Sequence, residues 1–145
     1  MQHVVRILIF VEDAIDAELV RRALQQYDAR MEARYVFGEQ EYLSALRSFG
    51  PDLILSEYKV SLYGGAFALK MAQEFCPSVP FVFVSDVLAD NLTGELLKRG
   101  AKAHVSKNQL EQIGPLIQSV LAKSKRPGPA RPPVSSRQTK RAGAR

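Results

Sequence analysis

The chain of 145 residues contains no tryptophan and a single cysteine, Cys76. One cysteine excludes an internal disulfide, and Cys76 reads as a small apolar filler. Long hydrophobic runs are missing too. The longest apolar stretches are the length of a strand, which excludes a transmembrane helix. The N-terminus lacks the apolar block and small-residue cleavage site of a secretion signal. These absences together point to the cytoplasm. A further lack is local: from Lys123 onward there is no aspartate or glutamate, but there are eight lysines and arginines.

That last asymmetry changes the meaning of the net charge of +5. Residues 1–122 hold the other twelve basic residues and all fifteen acidic ones, a net of −3. The body is mildly acidic and the tail strongly basic. The tail has no apolar periodicity, and segments such as Lys125–Arg126–Pro127–Gly128–Pro129 cannot bury enough surface to offset their ordering entropy. We expect a folded domain over 1–122 and a disordered Pro/Ser/Arg-rich tail or linker over 123–145.

The body is rich enough in hydrophobic residues, 46% of the whole chain, for one domain with a sizeable core. Val4–Val11 is a strand-like run ending in Glu12–Asp13. Ile15, Leu19, Val20, Ala23 and Leu24 recur at helical spacing over 14–26. Ala33–Phe37 reads as a strand and Gln40–Ser48 as a helix stopped by Gly50–Pro51. Leu53–Leu55 leads to Glu57. Gly64–Gly65 breaks the chain before a helix over 66–75. Val79–Ser85 is a strand, 91–99 a helix, 101–106 a strand and 109–123 a last helix. Gly114–Pro115 means that this last helix starts late, with Pro115 in its first turn, or is kinked there.

Strands alternating with helices imply a parallel sheet covered on both faces. In such α/β folds ligands bind beyond the C-terminal strand ends. Four chemically distinctive groups sit at such ends: Glu12–Asp13, Glu57, Ser85 and Lys107. No glycine-rich phosphate loop follows a strand, and no histidine or cysteine accompanies the acids, which argues against a small flavodoxin-like enzyme.

Ile7–Asp13, Asp52–Tyr58, Pro80–Ser85 and Gly100–Lys107, in that order and at those intervals, resemble the receiver domains of response regulators. The resemblance covers roughly residues 4–122. It implies a doubly wound, five-stranded parallel sheet of strand order 2-1-3-4-5, an order that accompanies the family and its flavodoxin-like relatives. It also implies a role in two-component or phosphorelay signalling as a protein–protein switch or a fixed adaptor, without turnover of a diffusible substrate. A histidine kinase or another signalling protein would be the partner. Self-association would use 91–99, 102–105 and 109–122.

In that family the acid pair and the phospho-acceptor hold Mg²⁺, which here implies Glu12, Asp13, Glu57 and the carbonyl of Lys59. Mg²⁺ prefers oxygen ligands and retains waters. Lys107 would pair with the acceptor and then with phosphate. Ser85 would be the switch hydroxyl and His104 the ring that moves with it. Asp13 has a plainer reading as the N-cap of the helix that follows.

Several positions depart from the family pattern. Glu57 stands where the family has an aspartate. The extra methylene displaces the carboxylate by about 1.5 Å, an error that can cost about a hundredfold in an in-line transfer. Ser61 replaces a common proline, Asp86 adds negative charge after the switch hydroxyl, and His104 replaces a common aromatic. Glu57 therefore reads as a phosphoaspartate mimic or as a site retained only for an ion pair with Lys107. A separate reading gives function to the tail, whose basic residues could meet nucleic acid or an acidic membrane. No aromatics interleave there, so base stacking is not indicated.

Overall fold

The computed structural model describes residues 4–26, 30–58, 64–85, 94 and 97–124. The expected disordered tail, the loop holding Lys59 and Ser61, Asp86 and most of the predicted helix over 91–99 lie outside the described residues.

Five strands form one parallel sheet: β1 (Val5–Phe10), β2 (Met31–Val36), β3 (Leu53–Glu57), β4 (Phe81–Ser85) and β5 (Ala103–Ser106). Their order is β2-β1-β3-β4-β5, the doubly wound arrangement anticipated from the sequence. The intervening helices are α1 (Ala14–Gln25), α2 (Glu39–Ser48) and α3 (Gly64–Phe75). A 3₁₀ segment (Lys107–Gln112) then leads into the last helix, α4 (Ile113–Ser124).

Alternation along β1 divides its side chains between two cores. Leu8 and Phe10 join Tyr42, Leu46, Ile54, Leu69, Phe81 and Phe83 under α2 and α3. Ile7, Ile9 and Val11 join Val20, Leu24, Leu55, Val84, Ile113 and Ile117 under α1 and α4. Both faces of the sheet are therefore dry. This is why β1, β3 and β4 carry continuous apolar runs, whereas the edge strand β2 exposes Glu32, Ala33 and Arg34. Burying each large side chain contributes roughly 1.5–3 kcal/mol before the entropy of ordering it is counted.

Tyr42 ties the first core together. Its ring stacks on Phe10 with centroids 4.3 Å apart, and its hydroxyl donates to the Ala68 carbonyl at 2.6 Å. The buried polar tip thus has a partner on the neighbouring helix.

Of the apolar positions at helical spacing in α1, Ile15 and Leu19 are 73% and 43% exposed. The stripe of α1 that faces the sheet is carried by Val20 and Leu24. Gly64–Gly65 do not break the chain but form the start of α3, since the first turn of a helix has no preceding intrahelical bonds to lose. The strand expected from Ala33 begins at Met31, where pairing with Val5 extends it. Of the two readings of Gly114–Pro115, the late start is realised. The chain runs through the 3₁₀ segment, and Pro115 lies in the first turn of α4, where its missing N–H leaves no bond unmade. Among the described residues no helix is long and apolar enough to cross a membrane.

Candidate functional site

Register brings the four sequence signals to one level. Phe10 pairs with Ser56, Glu57 with Val84, and Ser85 with Ser106. Glu12, Glu57, Ser85 and Lys107 therefore leave neighbouring strands within about one residue of each other, on the C-terminal rim where open α/β sheets place their sites.

Glu57 is the centre of the arrangement. It is only 3% exposed, although it ends a strand. Its Oε1 accepts from the backbone N–H of Glu12 at 2.6 Å. Its Oε2 lies 2.5 Å from Lys107 Nζ but has no well-directed hydrogen bond. The compensation at Oε2 is therefore the charge contact with the ammonium.

Lys107 reaches the site because Ser106 caps the 3₁₀ segment, its hydroxyl accepting from Asn108 N at 3.1 Å. The ammonium makes a second contact, to Asp16 Oδ1 at 2.9 Å. Asp16 was not among the residues singled out from the sequence. It lies in the first turn of α1, three residues after the N-cap. The available signal was that spacing: an acid at the third helical position is a known start motif and is favoured there by the helix dipole.

Asp13 is the N-cap of α1, with its Oδ1 accepting from Asp16 N at 2.9 Å. The capping role is thus present in the structure. Glu12 contributes its backbone N–H, while its side chain lies on the exposed rim. Lys59 lies outside the described residues.

The electrostatics follow from this crowding. Burial raises the Glu57 carboxyl, and the neighbouring Asp16 carboxyl raises it further. Lys107 and the Glu12 N–H only partly oppose them, so Glu57 is pushed up to about 7. Burial also acts upward on Asp16, but its contacts with Glu57 and Lys107 outweigh that and the net shift is downward. Burial alone would lower Lys107. Its two carboxylate partners outweigh that and raise it, so the ammonium stays charged.

Ser85 points elsewhere. It is buried, and its hydroxyl lies 2.9 Å from Nε2 of His104. Burial lowers the His104 imidazole below its ordinary value. The ring also borders an open groove of about 390 Å³ lined by Gln109, Gln112, Pro115 and Leu116. The structure thus forms two adjoining units, an acid–ammonium cluster (Asp16, Glu57, Lys107) and a hydroxyl–imidazole pair (Ser85, His104).

The donor set does not suit Mg²⁺ as it stands. One oxygen of Glu57 is held by a backbone N–H and the other faces an ammonium. Asp13 is turned to its cap. Among the described residues no three His, Cys, Asp or Glu side chains converge as metal ligands.

A five-stranded α/β sheet of this order, with acids, hydroxyl and lysine on one rim, has the receiver-domain fold. Solved structures bear this out. A CheY-like response regulator receiver domain from Methanospirillum hungatei JF-1 superposes with a TM-score of 0.71 at 20% identity, over 84% of this chain and 97% of that one. A LuxR-family two-component response regulator from Aurantimonas sp. SI85-9A1 gives a TM-score of 0.74 at 17% identity, over 83% and 87%. The phosphorylated cyanobacterial phytochrome response regulator RcpA gives 0.70 at 19%, over 87% and 100%. No family model and no curated protein matches the chain.

Proposed function

We propose that this chain is a receiver-type module of phosphorelay signalling that works as a fixed-state adaptor through protein–protein contact. The observation that carries the reading is the engagement of Glu57. Its carboxylate is buried, bonded to the Glu12 N–H and paired with Lys107, so neither oxygen is free to attack a phosphoryl donor. In-line transfer requires near-attack placement, and the longer glutamate side chain works against it.

The Ser85–His104 contact favours the fixed state over mimicry of a phosphorylated aspartate. A mimic should draw the Ser85 hydroxyl onto Glu57, whereas that hydroxyl is engaged by His104. Partners are a histidine kinase or another signalling protein, and self-association through β5 and α4 is the corresponding homodimer. Any Mg²⁺ affinity is weak in this reading, because an incoming cation has to displace Lys107 from Glu57. No step of the proposed action runs through the metal.

The test is intact-mass measurement after incubation with a small acyl phosphate and Mg²⁺. No adduct is expected on the wild-type chain, and Glu57→Asp should raise phosphorylation. An acid-stable, alkali-labile phosphate mapped to Glu57 in the wild type would overturn the reading. Binding to a partner should also survive deletion of residues 124–145; its loss would move the function to the basic tail.

A further inference from the structure

We infer that the outer edge of β2 is a pairing surface for a second copy of this chain, joined antiparallel about a two-fold axis at Ala33. The surface lies at the opposite end of the sheet from β5. It involves neither Glu57 nor phosphate, so it stands or falls separately from the adaptor reading.

Among the described residues β2 pairs only with β1. Val5 N–H donates to the Arg30 carbonyl at 3.0 Å, and Val11 N–H donates to the Val36 carbonyl at 3.1 Å. The even-numbered residues of this stretch therefore turn their backbone groups toward β1. Strand residues alternate in this respect, so Met31, Ala33 and Tyr35 turn theirs to the outer edge. Such an edge is a template for another strand. Glu32, Ala33 and Arg34 at its centre are exposed.

Charge complementarity selects the occupant. In an antiparallel pair centred on Ala33, the outward groups of Ala33 bond to those of its own copy, and Met31 faces Tyr35 of the copy. Glu32 then faces Arg34, twice, in the non-hydrogen-bonded positions where side chains approach most closely. This is the self-complementarity that a two-fold interface requires. The register is also specified. A shift of one residue opposes outward to inward backbone groups. A shift of two sets Glu32 on Glu32 or Arg34 on Arg34, and like charges directly opposite are destabilising.

Both charged side chains are anchored before pairing. Glu32 lies 3.6 Å from Arg6 Nε, and the Arg34 guanidinium lies over the Phe49 ring at 4.7 Å. Less side-chain entropy is then lost when they meet a partner. One strand pair is smaller than a standard interface of about 1,600 Å², so the dimer is weak.

The experiment is sedimentation velocity of the full chain over a concentration series. Wild type is expected to pass from monomer to dimer, less so in about 1 M salt, where screening acts within about 3 Å. Arg34→Glu and Glu32→Arg each turn two attractive pairs into repulsive ones, and each should weaken association at least about tenfold. An equimolar mixture of the two variants should dimerise again, as should the double variant Glu32→Arg/Arg34→Glu. A wild type that stays monomeric throughout, single variants that associate like wild type, or a mixture that does not recover would each overturn the proposal. Association unchanged by Arg34→Glu would belong to the β5 and α4 surface instead.

A second variant is independent of the charge changes. Ala33→Cys places two thiols across the axis, where the Cα separation of a hydrogen-bonded pair, about 5.5 Å, suits a disulfide. Mild oxidation should give a covalent dimer, mapped by mass spectrometry to position 33 in both chains. Adding Arg34→Glu should slow its formation severalfold. No such dimer, or equal rates with and without Arg34→Glu, would reject the pairing.

Discussion

Ser85 Oγ lies 2.9 Å from His104 Nε2 and joins the ends of β4 and β5. The contact engages the switch-position hydroxyl with the imidazole. It also ties the only imidazole among the described residues to a buried group, and burial lowers that imidazole below its ordinary value of 6.5. The folded chain then binds the proton less readily than the unfolded chain. Stability from this group is present above about pH 6.5 and lost as pH falls through the lower folded value. Glu57 is raised to about 7, so its contribution to stability grows as pH falls from 7 towards 4.5 and opposes that of His104, whereas Asp16 is lowered from 3.8 and titrates below this range. Urea denaturation between pH 7.5 and 5 reads the two opposed contributions together, and His104→Phe should make stability rise more steeply as pH falls. An unchanged pH profile in His104→Phe would show that the imidazole carries none of it.

Ser85→Ala removes one side of the same contact. A neutral hydrogen bond contributes about 1 kcal/mol net, and that is the expected loss at pH 7.5. Because the Ser85 hydroxyl is engaged by His104, the substitution should leave the rate of Lys107 acetylation unchanged. A change in that rate would couple the two units that the structure keeps apart.

Tyr42 gives a prediction confined to the core. Tyr42→Phe keeps the stack on Phe10 and loses only the bond to the Ala68 carbonyl, so about 1 kcal/mol is expected. Tyr42→Ala empties a fully buried site and should cost about 3–5 kcal/mol. Chemical denaturation of the two variants checks the ratio.

Gly100 is held at φ +119, and a Cβ there would come within 2.3 Å of Gln73 Nε2. That amide donates to the Arg99 carbonyl at 2.6 Å, so moving it away breaks a bond. Gly100→Ala should lose about 1–3 kcal/mol from the backbone conformation alone. Adding Gln73→Ala should recover only the collision. Full recovery in the double variant would show that the backbone angle carries no cost.

The fold was legible because β1, β3 and β4 are buried on both faces, which leaves an unmistakable apolar signature in Ile7–Val11, Leu53–Leu55 and Phe81–Val84. The rim position of Glu12, Glu57 and Ser85 followed from where those runs end, and that of Lys107 from the end of the fifth strand. Helical spacing over 14–26 marked the helix but not which of its apolar residues meet the sheet: Val20 and Leu24 are buried, whereas Ile15 and Leu19 are exposed. Asp16 went unread for a different reason. Its role depends on how far the Lys107 side chain reaches across from the end of β5, and spacing along the sequence carries no information about that distance. The Ser85–His104 contact is likewise a cross-strand relationship, fixed by the register of β4 on β5.

The pairing of Glu57 with Lys107 supports the most discriminating prediction. Breaking a buried pair by removing one partner costs about 3–5 kcal/mol. Lys107 keeps 18% side-chain exposure and Asp16 as a second partner, so Glu57→Gln should cost less than Lys107→Met, which leaves Glu57 buried and unpaired at about 3 kcal/mol. Glu57→Gln keeps the shape and an acceptor for the Glu12 N–H but removes the charge. Lys107→Met removes the ammonium and leaves Glu57 buried. The double variant should lose less than the two singles combined, by about 1–3 kcal/mol of coupling. That part concerns stability alone. For function, a fixed adaptor owes its binding surface to β5 and α4, which Glu57→Gln does not touch. Dimerisation and partner affinity should therefore stay at the wild-type level while stability falls. If Glu57→Gln instead changes dimerisation or partner affinity severalfold, the carboxylate is setting the state of that surface, and mimicry replaces the fixed state as the account of this site.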